Sequence, residues 1–393
     1  MSTIKIAKCE SLFLFHCNPC FSFSIYLNPV FIPYVLYRLL KLNQNRPTPV
    51  IGDDMEPENF RRIEYEDLVE CTDTLGESNY IGRFQFGKMY RGVLGTFEPI
   101  NLLVKIWEVP EIYNYKPGDH NIRLMEELVL LRHEKVIKHP CMVQLYGFCS
   151  DGEHISVAYL LKPFDSLFNL IPKDSFTWLQ RIKTAFGLAS LLKFLHVGNP
   201  SSYYPPFVVQ NLDPAHIVLD QDYTPRLCDF GLVCGGFFPD RRSYSGPLGC
   251  YGYIDVSASN QGDCSIKKDV FAFGVILLSL ISKRVYTEED RQSGLPTVYE
   301  WALGQCQAFE SYSEMRDAKF SLVHKSMASE SEFCGDDGHK ITMIALECVN
   351  TVQSERPAMK QVFRALRKLE VVKNYADFIG ANNKMLLRPC EKY

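Results

Sequence analysis

The chain has 393 residues, 46% hydrophobic and 22% charged, with a formal net charge of −4. These fractions are those of an ordinary globular protein, and the length allows one two-lobed domain with extensions or two to three small ones. Lys and Arg are dispersed with no basic block, so neither charge nor its distribution points to nucleic acid.

The first segment in chain order is apolar. Residues 11–37 contain no Asp, Glu, Lys or Arg, a length that permits a membrane span. Arg38, Lys41 and Arg46 follow it and would keep the remainder on the cytoplasmic side. Pro19, Pro29 and Pro33, with Asn18, Asn28 and His16, make it a poor helix, and no small-residue cleavage site follows. Ser2 rules out N-myristoylation. Residues 1–42 are therefore set apart as a membrane anchor, a poorly ordered extension, or sequence outside the mature protein. Residues 43–59 are polar and proline-rich, a linker, and the folded region is expected from about Phe60. The 14 cysteines are scattered, several in apolar runs (Cys149, Cys228, Cys348), which suggests buried free thiols in a reducing compartment. Cys17-Asn18-Pro19-Cys20 has no second pair or histidine partner, so no zinc site is expected.

Several segments then carry chemistry. Ile81-Gly82-Arg83-Phe84-Gln85-Phe86-Gly87-Lys88-Met89-Tyr90-Arg91-Gly92 has the form of a hairpin whose glycines let backbone approach an anion closely. Leu102-Leu103-Val104-Lys105-Ile106-Trp107 is an apolar strand interrupted by one lysine, a residue that more often snorkels from an edge. Residues 124–132 are amphipathic; Glu127 shares a helix face with Leu131, which favours it over Glu126 as an inward-facing group. His139-Pro140-Cys141-Met142-Val143-Gln144-Leu145-Tyr146-Gly147-Phe148-Cys149 leads into a strand pair. Val208-Val209-Gln210-Asn211-Leu212-Asp213-Pro214-Ala215-His216-Ile217-Val218-Leu219-Asp220 precedes Asp229-Phe230-Gly231. Gly249-Cys250-Tyr251-Gly252-Tyr253-Ile254-Asp255, Lys268-Asp269-Val270-Phe271-Ala272-Phe273-Gly274-Val275 and Ser354-Glu355-Arg356-Pro357 complete the series.

In that order these motifs resemble the plant receptor-like and receptor-like cytoplasmic protein kinases over roughly residues 60–369. The resemblance implies an α+β, bilobal protein-kinase fold, with a β-rich N-lobe at 60–163, a mainly helical C-lobe at 164–372 and a tail at 373–393. It also implies a site for ATP with Mg or Mn. Gly82, Gly87, Lys105, Glu127, the hinge residues Leu160 and Lys162 beyond gatekeeper Tyr159, and Asp229 would hold the nucleotide, and Asp229 would hold the metal. Ser243, Tyr244 and Ser245 fall in the implied activation loop, as phosphorylation sites or as ordinary solvated hydroxyls.

The departures from the family pattern are concentrated in the chemistry. Asn211 stands at the base position, and an amide has no useful basicity near neutral pH. Gln210 replaces the arginine that docks a phosphorylated loop. Asp213 replaces a phosphate-side lysine, putting negative charge where cationic stabilisation is needed. His216 replaces the metal-binding asparagine and is a poor magnesium ligand. Phe84 replaces the middle glycine of the hairpin and Met89 its valine; Val256-Ser257 replace a Pro-Glu, which leaves Arg356 to find a new acceptor. The expectation is a pseudokinase that binds ATP weakly or not at all and acts as a scaffold or allosteric partner of other kinases or receptors in the cytoplasm. The alternative is a weak or atypical Ser/Thr kinase, since Lys105, Glu127 and Asp229 remain.

Overall fold

The computed structural model describes residues 61–108, 119–133, 136–151, 153–197, 205–236, 238, 249–255, 264–309 and 311–387. Residues 1–60 lie outside them, and with them the apolar segment, the linker and the Cys17/Cys20 pair.

The N-lobe is a five-stranded antiparallel sheet in the order β1-β2-β3-β5-β4, with β1 Tyr80–Phe84, β2 Gly87–Leu94, β3 Ile100–Trp107, β4 Leu145–Ser150 and β5 Ile155–Leu160. Strand periodicity decides what each face carries. Leu102, Val104 and Ile106 join one core cluster with Tyr90 and Ala158, on the side of Ile63 and Leu68. Leu68 belongs to α1 (Tyr65–Cys71). Leu103 and Trp107 fall on the opposite face, in the main core with Met89, Val157 and Tyr159. Lys105 shares that inner face, and its register partners are Met89 and Val157. It does not snorkel from an edge. Helix α2 (Asp119–Arg132) contributes Leu124, Leu128 and Leu131 to the same cluster.

In the C-lobe, β6 (Pro163–Ser166), β7 (Ile217–Asp220) and β8 (Pro225–Leu227) form a small sheet around the 208–220 segment. Helix α3 (Trp178–Leu195) starts at a Thr177/Gln180 capping box, and most of its residues are buried. Its buried Arg181 donates to the carbonyls of Phe176, Leu280, Ile171 and Lys173, which together satisfy the guanidinium. Helix α4 (Ile266–Ser282) is buried from Asp269 onward. Helices α5 (Gly335–Cys348) and α6 (Met359–Leu366) pack behind it.

Two observations differ from the sequence-based expectation. Past Lys373 the chain forms short helices at Ala376–Ile379 and Lys384–Leu387, with Ile379, Ala381 and Leu386 buried. Ser190 Oγ and Lys193 Nζ of α3 donate to the Leu386 carbonyl at 2.8 and 3.1 Å. Four-residue helices are too short to display a period, so the sequence suggested a tail. The cysteines are also not all free: Cys234 and Cys264 form a disulfide, brought together by the fold across 30 positions. No helix among the described residues is long and apolar enough to cross a membrane.

Candidate functional site

The register of β3 delivers Lys105 into a wholly buried polar cluster. Its Nζ donates to Glu127 Oε2 at 2.6 Å, to Asp229 Oδ1 at 2.8 Å and to the Cys228 carbonyl at 3.1 Å. The rings of Trp107 and Phe84 lie 4.4 and 4.9 Å from the ammonium, close enough for cation–π attraction. Tyr159 donates its hydroxyl to Glu127 Oε1, and the same oxygen sits 3.1 Å from the Cys228 carbonyl. Burial opposes the charge on Lys105, but the carboxylates of Asp229 and Glu127 outweigh it and hold the ammonium above its ordinary pKa. Burial pushes the Glu127 carboxyl up to about 7, with Lys105 opposing and Asp229 reinforcing the shift. At Asp229 burial also raises the pKa, but Lys105 and then His216 more than offset it, and the carboxyl stays below its usual value. One ammonium between two carboxylates thus leaves Glu127 as the easier of the two to protonate.

The segment opposite is braced from below. Val209 and Gln210 donate their amides to Asp269 Oδ2 and Oδ1 at 2.8 and 2.9 Å, and His196 Nε2 lies 2.9 Å from Oδ2. Gln210 adopts a left-handed φ of 60° in the turn this brace enforces. Val209 and Phe230 are both buried in the main core. Asn211 Nδ2 donates to Asp229 Oδ2. Asp213 caps the turn Pro214–His216, accepting from the Ala215 amide at 2.6 Å.

His216 connects the two lobes. Its Nδ1 lies 2.8 Å from the Asn211 carbonyl, and its Nε2 lies 3.0 Å from the Gln85 amide. A carbonyl only accepts and an amide N–H only donates, so these partners assign the proton to Nδ1 and leave Nε2 as the acceptor. Gln85 is at the two-residue turn between Phe84 and Gly87, the tip of the β1–β2 hairpin. Its side chain donates to the Gly249 carbonyl at 3.2 Å. Cys250 Sγ lies 3.3 Å from Asn211 Oδ1 and 3.8 Å from His216 Nε2. The hairpin tip is therefore tied down twice, and Phe84, only 4% exposed, folds beneath it onto Lys105.

Of the residues singled out in the sequence, the fold brings Lys105, Glu127, Asn211, His216 and Asp229 together, all with no solvent exposure. Gly87 packs so tightly that a Cβ would fall 1.9 Å from the Ile106 carbonyl oxygen. Gly82 is on β1, Leu160 is the last residue of β5 and Lys162 follows it, both exposed. Ser243, Tyr244 and Ser245 lie outside the described residues, as do Val256 and Ser257. Trp107, Gln85 and Cys250 were not anticipated as part of the cluster. Trp107 is two residues from Lys105 on the same strand face, a signal the period supplies. The other two are joined only by the tertiary fold.

Arg356 finds its counter-charge in Asp255. Its Nη2 lies 2.5 Å from Asp255 Oδ2 with both side chains buried. Nε and Nη1 donate to the carbonyls of Asn350 and Lys267 at 2.7 and 3.1 Å, and the guanidinium faces the Phe271 ring at 4.8 Å.

Comparison with known proteins identifies the family. The chain is 28% identical over 311 residues to "Probable serine/threonine-protein kinase PBL7" of Arabidopsis thaliana, covering 78% of this chain and 76% of that protein. It is 26% identical over 355 residues to receptor-like cytoplasmic kinase 176 of Oryza sativa subsp. japonica, covering 88% and 85%. Serine/threonine-protein kinase CDG1 of Arabidopsis thaliana is 34% identical over 226 residues, about half of its own length (49%) and 56% of this chain. Among solved structures, the pseudokinase domain of BIR2, an immune regulator of the RLK/Pelle family, matches at a TM-score of 0.54 and 20% identity over 86% of this chain and 97% of that one; this is a likeness of fold. Residues 75–366 match the profile for protein tyrosine and serine/threonine kinases, and the chain belongs to that family.

Proposed function

We propose that this chain is a kinase fold that does not transfer phosphate, binds ATP weakly or not at all, and works in the cytoplasm by engaging other protein kinases or receptors as a scaffold or allosteric partner. The observation that carries the reading is that the phosphate and metal side of the cleft is filled by the chain itself. Lys105, Glu127, Asn211, His216 and Asp229 are all fully buried, and their polar atoms are engaged with one another. A magnesium nucleotide does not fit this arrangement. Asp229 already takes Lys105 on one oxygen and Asn211 on the other. Histidine in place of the second metal ligand takes the hairpin amide.

Entry would require opening. Breaking the Gln85–His216 bond costs roughly 1 kcal/mol net and re-exposing Phe84 roughly 2 kcal/mol. At about 1.4 kcal/mol per tenfold, these two steps alone weaken binding roughly a hundredfold. The test is a melting-temperature titration with ATP and Mg²⁺ or Mn²⁺. A ligand present at about a hundredfold over its Kd adds about 2.7 kcal/mol to the folded state, a shift of several degrees. No shift at millimolar nucleotide is expected, and a saturable one overturns the occluded site.

A second reading, a weak Ser/Thr kinase, is favoured by one observation: Lys105 keeps its ion pair with Glu127, the pair that an active kinase assembles. Phosphate transfer by purified protein that disappears in Asp229→Ala would establish it. The role proposed for residues 11–37, a membrane anchor, is tested by fractionating the full chain against one starting at Asn43.

A further inference from the structure

We propose that Cys234 and Cys264 are a thiol–disulfide switch that fastens the segment following Asp229-Phe230-Gly231 to the base of α4. The proposal does not depend on whether the nucleotide site is closed. Cys234 exchanges both backbone hydrogen bonds with Val208, at 2.8 and 2.9 Å, and Val208 is the entry to the 208–220 segment. Cys264 immediately precedes Ser265, whose side chain accepts from Lys267 N and caps α4. Helix α4 in turn carries Asp269, which holds the amides of Val209 and Gln210. The bond therefore joins the two elements that flank that segment. Between them the backbone is closely packed: a Cβ on Gly235 would lie 1.9 Å from the Pro206 carbonyl oxygen and 3.4 Å from Cys264 Sγ.

The two ends differ in access. Cys264 is exposed, whereas Cys234 is 1% exposed. The Cys264 end is therefore the one open to a small thiolate, and access to the attacked sulfur governs exchange. The other described cysteines are free, and several are poor competitors. Burial pushes Cys71 and Cys149 up to about 11 and Cys141 up to about 12, with Cys228 and Cys348 higher still. Thiols held protonated do not exchange. In a cytoplasmic protein a disulfide is characteristically transient and regulatory.

The step balances with glutathione. A glutathione thiolate attacks Cys264 Sγ, breaking the S–S bond and releasing the Cys234 thiolate, which takes a proton. A second glutathione thiolate attacks the mixed disulfide, releasing the Cys264 thiolate, which is protonated, and glutathione disulfide. Two glutathiones are oxidised as one protein disulfide is reduced, and glutathione disulfide drives the reverse.

The experiment equilibrates the full chain in glutathione redox buffers, quenches with acid, alkylates and maps the peptides. Cys234 and Cys264 are expected to pass together from alkylated to mutually linked as glutathione disulfide rises, while Cys71, Cys141, Cys149, Cys228 and Cys348 stay alkylated. A pair that remains alkylated in excess glutathione disulfide, or linked in millimolar glutathione alone, overturns the switch. Amide hydrogen exchange supplies the structural arm. Val208 and Cys234 are expected to exchange several-fold faster in the reduced chain, and Cys264→Ser is expected to exchange at one rate in both buffers. Equal rates in the two states of the unsubstituted chain, or a redox response that survives in Cys264→Ser, sink the proposal.

Discussion

The front of the cleft and the base beneath it have both lost residues that the family uses, with opposite consequences. At the base, the residues were structural, and replacements preserve the structure: Arg356 has taken Asp255 as its counter-charge, and Asp269 still holds two amides of the 208–220 segment. At the front, the residues were chemical, and their replacements have become packing. Phe84 covers Lys105, Asn211 donates to Asp229, and His216 accepts from the hairpin tip. A position whose role is geometric must keep some group that satisfies the geometry, since a buried unpaired charge is costly. Under the proposed function, a position whose role is chemical is released from that role and is free to take up packing instead.

The largest effect should come from breaking the base. Arg356→Ala removes the buried guanidinium from Asp255 and orphans two carbonyls, a loss of about 3 to 5 kcal/mol. Urea denaturation measures it. A loss under about 1 kcal/mol would mean that the pair is not the keystone its burial suggests, and the contrast between base and front would weaken.

Next comes the front. Phe84→Gly combined with His216→Asn puts back the residue types the family uses and removes both the ring and the acceptor for Gln85. It should cost about 2 to 4 kcal/mol through lost burial and one lost hydrogen bond. It should also raise the stabilisation that ATP gives above that of the unsubstituted chain. Amide exchange at Gln85, slow in the unsubstituted chain, should quicken in His216→Asn alone. A double variant that is destabilised yet still indifferent to nucleotide would show that something other than these two side chains closes the site.

How much of this was legible in the sequence follows the same division. Glu127 could be preferred over Glu126 by its four-residue offset from Leu131, a local period, whereas Lys105 by itself suggested an edge and was set inward only by the family resemblance. The kinase fold was legible because its motifs recur in a fixed order. The closed state was not, since Gln85 meets His216 across 131 positions and Gly249 across 164, and no local period encodes such pairs. The same holds for the counter-charge of Arg356 and for Cys234 with Cys264. Phe84 stood out in the sequence only as the replacement of the hairpin's middle glycine, and it lies against Lys105. The helices past Lys373 escaped notice because each is a single turn.

The smallest expected effect distinguishes two buried histidines, one in each region. His216 at the front and His139 behind it are wired alike, each accepting a backbone amide on one ring nitrogen: Gln85 on His216 Nε2, Cys141 on His139 Nδ1. His139 Nε2 has Ser190 Oγ at 3.2 Å. Burial, with Lys193 and Arg226 nearby, lowers the His139 pKa from 6.5 to about 3. The sign follows from linkage. Below 6.5 the unfolded chain takes up a proton that the folded chain refuses, so stability is present above that value and is lost as pH falls toward 3. The limiting slope is about 1.4 kcal/mol per pH unit, which gives a loss of about 1 to 2 kcal/mol on going from neutral to about pH 5. The difference between the unsubstituted chain and His139→Gln isolates this contribution from every other titrating group. The variant should be the less stable at neutral pH and should show a flatter acid limb. Parallel limbs would mean that His139 is protonated in the folded state, and the wiring inferred from its neighbours would then be wrong.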